Sequence, residues 1–145
     1  MKAIDTSVLY ALFNATDEHH AAARQAVLSH YPIYVPGCVL QETLDLLRFR
    51  HGRQVASNAL AWLKSTPQFA LGGSALEQSY TRAQNLFLDL SDTLSPHLAT
   101  ARGRATFADV WCITQAAALA IPLLTSDIHQ AAVAHEQGVA TIHIP

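Results

Sequence analysis

The chain has 145 residues, half of them hydrophobic and 14% charged, which excludes a disordered composition and suffices for one compact domain with a sizeable core. Its longest apolar run, W-C-I-T-Q-A-A-A-L-A-I-P-L-L at 111 to 124, is interrupted by Gln115 and Pro122 and falls short of a bilayer-spanning helix. The formal net charge of -2 excludes a strongly basic surface spread over the whole molecule.

Residues 2 to 4 read as a short buried strand ending at Asp5, and V-L-Y-A-L-F-N behind it has the continuous apolar character of a helix packed on a sheet. A second helix over about Glu18 to Ser29 leads to Y-P-I-Y-V-P (31 to 36), whose β-branched and aromatic residues between prolines read as a strand. Gly37 breaks it. V-L-Q-E-T-L-D-L-L-R-F (39 to 49) then places Val39, Leu40, Leu44 and Leu47 at helical spacing. Another helix around Val55 to Lys64 precedes F-A-L-G-G (69 to 73), a short strand or turn, and Leu76 to Leu90 is again helical in pattern.

Pro96 and Gly103 break the periodicity over 91 to 105, so this stretch reads as a loop, with Arg102 and Arg104 in its tail. The helix 107 to 120 feeds a buried-looking strand, I-P-L-L-T-S-D (121 to 127), which stops at an acid. A last helix from about Ile128 to Gln137 ends at Gly138, and A-T-I-H-I (140 to 144) closes the chain as a strand. Strands alternating with crossover-length helices predict an α/β fold: a single domain over 1 to 145, built as a three-layer α/β/α sandwich on a mainly parallel sheet. No charged-then-apolar leader precedes the first strand, and a soluble cytoplasmic protein is expected.

In such sheets ligands gather beyond the carboxyl ends of the strands. Asp5 and Asp127 end predicted strands, Glu42 lies in the first turns after the second strand, and Asp109 sits in the first turn of the helix before Asp127. Each has an ordinary explanation. Asp5 and Asp127 can cap helices, Thr106-x-x-Asp109 resembles a capping pair, and Glu42 can be a solvated residue on an amphipathic face. All four falling at the same end of one predicted sheet favours a shared role. Two like charges about 4 Å apart repel by roughly 4 kcal/mol at an effective dielectric of about 20, so converging carboxylates call for a cation. Mg²⁺ or a similar hard ion suits oxygen ligands and a phosphate substrate, and the chemistry that follows is metal-assisted phosphodiester hydrolysis. Four of the 11 acids committed to a metal would leave seven against nine Lys and Arg, a balance compatible with RNA.

The ordered set D-T-S after the first strand, Glu in V-L-Q-E, Asp in T-F-A-D-V and Asp in L-L-T-S-D resembles the PIN domain family, in particular the small VapC-type ribonuclease toxins of toxin-antitoxin pairs. The resemblance covers nearly the whole chain. It implies that Asp5, Glu42, Asp109 and Asp127 form an acidic metal site and are the catalytic residues. Asp5 and Asp109 would be direct ligands, and Glu42 and Asp127 would bind directly or through water. It further implies that Thr6 or Ser7 hydrogen-bonds Asp5 or a metal water, and that Thr125 and Ser126 orient the far side. Mg²⁺ or Mn²⁺ dependence, cleavage of single-stranded or looped RNA, a homodimer and a small antitoxin partner are implied as well. Many such toxins carry an acid-x-acid-Phe or similar run after the last strand, whereas here Asp127 is followed by Ile128-His129-Gln130, so the auxiliary acid that the resemblance implies is missing from that run.

Two other readings stay open: a housekeeping RNA-processing nuclease, and a non-catalytic domain that binds RNA or protein. Haloacid-dehalogenase chemistry needs Asp-x-Asp after strand one, where this chain has Asp5-Thr6-Ser7, and a receiver domain needs a late lysine, where only Lys2 and Lys64 exist. Arg102 and Arg104 are candidates for RNA phosphate contacts or ordinary loop residues. Asp45, one turn after Glu42, reads as an exposed helix acid, with a place behind the metal ligands the alternative; Asp89 and Asp92 read as helix-end acids, and the His19-His20 pair as surface. Trp62 and Trp111 read as core, with base stacking the alternative. Leu9, Leu12 and Phe13 suit core or a partner surface equally. Cys38 and Cys112 lack any metal-ligand spacing and read as buried thiols.

Overall fold

Five strands, each three residues long, form one wholly parallel sheet in the computed structural model, which describes residues 1–72, 81–87 and 106–145. They are β1 (Lys2–Ile4), β2 (Ile33–Val35), β3 (Phe69–Leu71), β4 (Leu123–Thr125) and β5 (Thr141–His143), in the order β3-β2-β1-β4-β5. Parallel pairing demands crossovers, and the helices supply them. They are α1 (Thr6–Phe13), α2 (His20–Ser29), α3 (Gly37–His51), α4 (Arg53–Ser65), the helical residues 81–87 (α5), α6 (Phe107–Leu119) and α7 (Ile128–Glu136).

The predicted α/β/α sandwich is therefore the fold, and F-A-L is a true strand in register with β2 through Ile33 and Phe69. The central strands are buried as fully as their apolar sequences require: Ala3, Ile4, Ile33, Val35, Leu123 and Leu124 have no solvent exposure. Around them Val8, Leu9, Val27, Val39, Leu63, Cys112, Ile113 and Val133 close both faces into one core. A smaller cluster of Tyr10, Leu47, Ala56 and Ala59 joins α1 to α3 and α4. No helix among the described residues is long and apolar enough to cross a membrane.

Element ends follow local chemistry. Gly138 adopts φ 73 just past α7, the left-handed stop that its position predicts, and Gly52 at φ 92 makes the break between α3 and α4. The chain leaves β1 towards β2 and β3 on one side and returns to β4 on the other. The connections that leave the paired strands β1 and β4 thus diverge at their carboxyl ends, the place where open parallel sheets bind ligands.

Candidate active site

Asp5 leaves the end of β1 and enters this divergence. It is 3% exposed and caps α1, with Oδ1 accepting from the Val8 amide at 3.0 Å and the Ser7 hydroxyl at 2.7 Å. Its other oxygen, Oδ2, accepts from the Thr125 hydroxyl at 2.6 Å, so the last residue of β4 clamps the residue after β1. The cap expected at Asp5 is real, yet a cap normally faces water, and this one does not. Burial outweighs the three donors, and with the charge of Asp109 it holds the Asp5 carboxyl at about 6 instead of 3.8.

The hydroxyls flanking Asp5 divide their work. Ser7 serves Asp5 and also accepts from the Ser126 amide and pairs with the Ser126 hydroxyl at 2.7 Å, tying β1 to the turn after β4. Thr6 instead donates to Glu42 Oε2 at 2.6 Å, across 36 residues, which holds the α3 acid at the head of α1. Glu42 is half-buried, where a solvated helix face would leave it exposed.

Asp109 forms the full capping box foreseen with Thr106: Oδ2 accepts from the Thr106 amide at 2.7 Å and hydroxyl at 2.9 Å, and Thr106 Oγ1 accepts from the Asp109 amide at 3.2 Å. Burial raises its pKa, the Thr106 bonds lower it, and the charges of Glu42 and Asp127 raise it again. Asp109 is thus the electrostatic hub: it feels Glu42 and Asp127, and Asp5 feels it. Asp127 is exposed and caps α7 through the His129 and Gln130 amides. Thr125 receives the Asp127 amide at 2.9 Å, so one hydroxyl orients both acids of the β1–β4 edge.

Gln130 carries no role in the sequence reading and is 3% exposed here, with Oε1 3.0 Å from Thr125 Oγ1 and Nε2 3.5 Å from Asp109 Oδ1. Its side chain bonds Thr125 and Asp109 instead of returning to the Asp127 amide, which donates to Thr125, so no capping-box signal in the sequence marks it. Cys38 and Cys112 lie under the acids as buried thiols. Burial and the neighbouring negative charge push Cys38 up to about 11 and Cys112 well above its ordinary value, so neither is a nucleophile at neutral pH.

The donor set suits a hard cation in kind. Glu42 Oε1 and Asp127 Oδ2 have no hydrogen-bond partner among the described residues, Asp109 Oδ1 has only the long contact to Gln130, and the acids raise one another's proton affinity. Among the described residues, however, no three Asp, Glu, His or Cys side chains are close enough together to form a finished ligand shell. Protein hydrogen bonds occupy Glu42 Oε2, Asp109 Oδ2 and Asp127 Oδ1 in this arrangement.

The remaining candidates sort by exposure. Arg102, Arg104, Asp89 and Asp92 lie outside the described residues. Asp45 is exposed as expected; His20 is half-buried against the Ala11 carbonyl, deeper than a surface pair would be. Leu9 is core, Leu12 and Phe13 pack against it, and Trp111 is half-buried. Trp62 is a partial correction: it packs edge-on to Phe13 and Phe69 yet stays 42% exposed.

A model of the PIN domain matches residues 2–136. No curated protein matches the chain in sequence. Among solved structures, the chain is similar to Mycobacterium tuberculosis VapC20, described as a sarcin-ricin-loop-cleaving toxin, with TM-score 0.74, 20% identity, and 92% of this chain and 95% of that one covered. It is also similar to VapBC2 from Rickettsia felis bound to promoter DNA (TM-score 0.66, 10% identity, 99% and 98% covered). A third likeness is to FitAcB from Neisseria gonorrhoeae (TM-score 0.64, 11% identity, 99% and 97% covered). At these identities the likeness is one of fold.

Proposed function

The chain belongs to the PIN domain family, and on that premise we propose that it is a Mg²⁺- or Mn²⁺-dependent endoribonuclease and the toxin of a toxin-antitoxin pair. The observation that carries this reading is the acid cluster centred on Asp109 where the connections leaving β1 and β4 diverge, with a buried Asp5 held near a pKa of about 6. Nothing in a capping role calls for such a cluster, and a divalent cation offsets its repulsion.

Asp5 and Asp109 are assigned as direct ligands, with Glu42 and Asp127 completing the site directly or through water. Bound there, the cation supplies water activation and charge neutralisation for in-line hydrolysis of an RNA phosphodiester. The chain's own part is positioning: Thr125 and Ser7 fix the Asp5 carboxylate, Thr6 fixes Glu42, and Thr106 fixes Asp109. Burial raises the Asp5 carboxyl to about 6, so the metal-free site takes up a proton there only as the pH falls towards that value.

The toxin assignment draws on the fold shared with toxins and toxin-antitoxin complexes, and it brings with it a cytoplasmic homodimer silenced by a small antitoxin protein. The test is cleavage of structured RNAs by purified protein with Mg²⁺, with Mn²⁺ and with chelator, beside Asp5→Asn and Asp109→Asn. Metal-dependent cleavage lost in both variants is expected. Cleavage that ignores chelator, or survives both substitutions, defeats the proposal. Induced expression separates toxin from housekeeping enzyme: growth should stop with the wild type and continue with Asp5→Asn.

A further inference from the structure

A groove of about 680 Å³ opens beside Glu42, between one stripe of α3 and the first turns of α6. Its α3 wall repeats at helical spacing through Glu42, Asp45 and Phe49, and α6 supplies Phe107 and Trp111 opposite. We propose that this groove receives a guanine base next to the scissile phosphate, stacked on Phe49 and donating N1–H and N2–H to Asp45. The inference rests on the ribonuclease reading above and gives it a base preference.

Three observations carry it. Phe49 is 90% exposed, an aromatic face offered to water on a helix whose other apolar residues are largely covered, and bases stack on such faces whatever their identity. Glu42 and Asp45 make the near half of the groove negative, which repels a phosphate and selects a group rich in donors. Among the bases, guanine alone presents two adjacent N–H donors on its pairing edge, a match for the two oxygens of a carboxylate.

Continuity with the acid cluster sets the register. Glu42 belongs to both, and seven residues of α3 at about 1.5 Å each place Phe49 roughly 10 Å further along the helix. A base lying in the groove therefore keeps its own phosphate at the acids, while Arg48 at the far end meets the next phosphate outward. A guanidinium from a protein partner carries a similar donor fork, and the experiment separates the two occupants.

The probe is a set of 12-nucleotide oligouridylates carrying one guanosine, inosine or adenosine. Affinity is read by fluorescence polarisation with Ca²⁺, the cation that offsets the repulsion between the acids and the phosphate, and cleavage is read separately with Mg²⁺. Guanosine should bind roughly tenfold tighter than adenosine, with inosine, which lacks the 2-amino group, in between. Asp45→Asn should collapse that ratio to about one, and Phe49→Ala should weaken all three oligomers alike, with Phe49→Trp restoring them. Equal affinity for the three oligomers, or a ratio that Asp45→Asn leaves intact, overturns the inference. So does an Asp45→Asn variant that keeps guanine preference but no longer binds an antitoxin, since the groove is then a protein site. Guanine preference without cleavage removes the ribonuclease reading and leaves the base site standing; cleavage without base preference does the reverse.

Discussion

Asp5 sits at the sheet edge with three donors around it, and its pKa is still raised to about 6 because burial outweighs them. An acid whose folded pKa lies above its unfolded 3.8 binds its proton more tightly when folded. Metal-free stability should then be greatest below pH 4 and fall as pH rises from about 4 to about 6, by roughly 3 kcal/mol for a two-unit shift. Asp5→Asn keeps the cap and removes the buried charge. In urea melts at pH 8 without metal it should be more stable than wild type by about 1–3 kcal/mol, while being inactive. Equal or lower stability would show that the carboxylate is not strained. Thr125→Val removes the 2.6 Å donor at nearly constant shape. It should cost about 2 kcal/mol at pH 8 and move the acid limb of the cleavage pH profile upward; Thr125→Ser should preserve both. The position of Asp5 at the carboxyl edge of the sheet was legible through its place after a strand. Its burial was not, because a strand-end acid that caps a helix is ordinarily wet, and only the packing of β4 beside β1 covers it.

At the level of elements, three of the four candidate acids, all but Glu42, also start helices. Thr106 and Asp109 begin α6, Asp127 begins α7 and Asp5 begins α1, so each acid is aimed by a cap as well as by the sheet. Thr106→Ala breaks both halves of the capping box. It should lower the thermal midpoint by an amount equivalent to about 1 kcal/mol and cut cleavage several-fold by releasing Asp109 Oδ2, with Thr106→Ser close to wild type in both. A variant that loses stability but no activity would separate the cap from the catalytic geometry. The strands, the helices and the Thr106-x-x-Asp109 box could be read from the chain because apolar runs, glycine stops and caps are local signals. The Thr6 to Glu42 bond and the reach of Gln130 towards Asp109 could not, since they join residues 36 and 21 positions apart and exist only once the sheet order is fixed. Gln130→Ala tests the second: fewer than two-fold changes in metal affinity would leave that glutamine a packing residue only.

Across the whole molecule, the net charge of -2 argues that RNA is not held by a broad basic surface. Metal at the acid cluster changes the local sign, so affinity for a 12-nucleotide RNA should rise with Ca²⁺ or Mg²⁺ more steeply than it falls with monovalent salt; a steep salt dependence that metal does not alter would contradict this. The five-stranded order, with β1 between β2 and β4, is what lets four acids from distant parts of the chain share one edge. The proposed function depends on that edge holding a cation. Calorimetric titration of Mn²⁺ into the full-length protein at pH 7.5 addresses it without RNA. The account predicts saturable binding that disappears in both Asp5→Asn and Asp109→Asn, whereas no binding by the wild type, or binding unchanged in both variants, would contradict it.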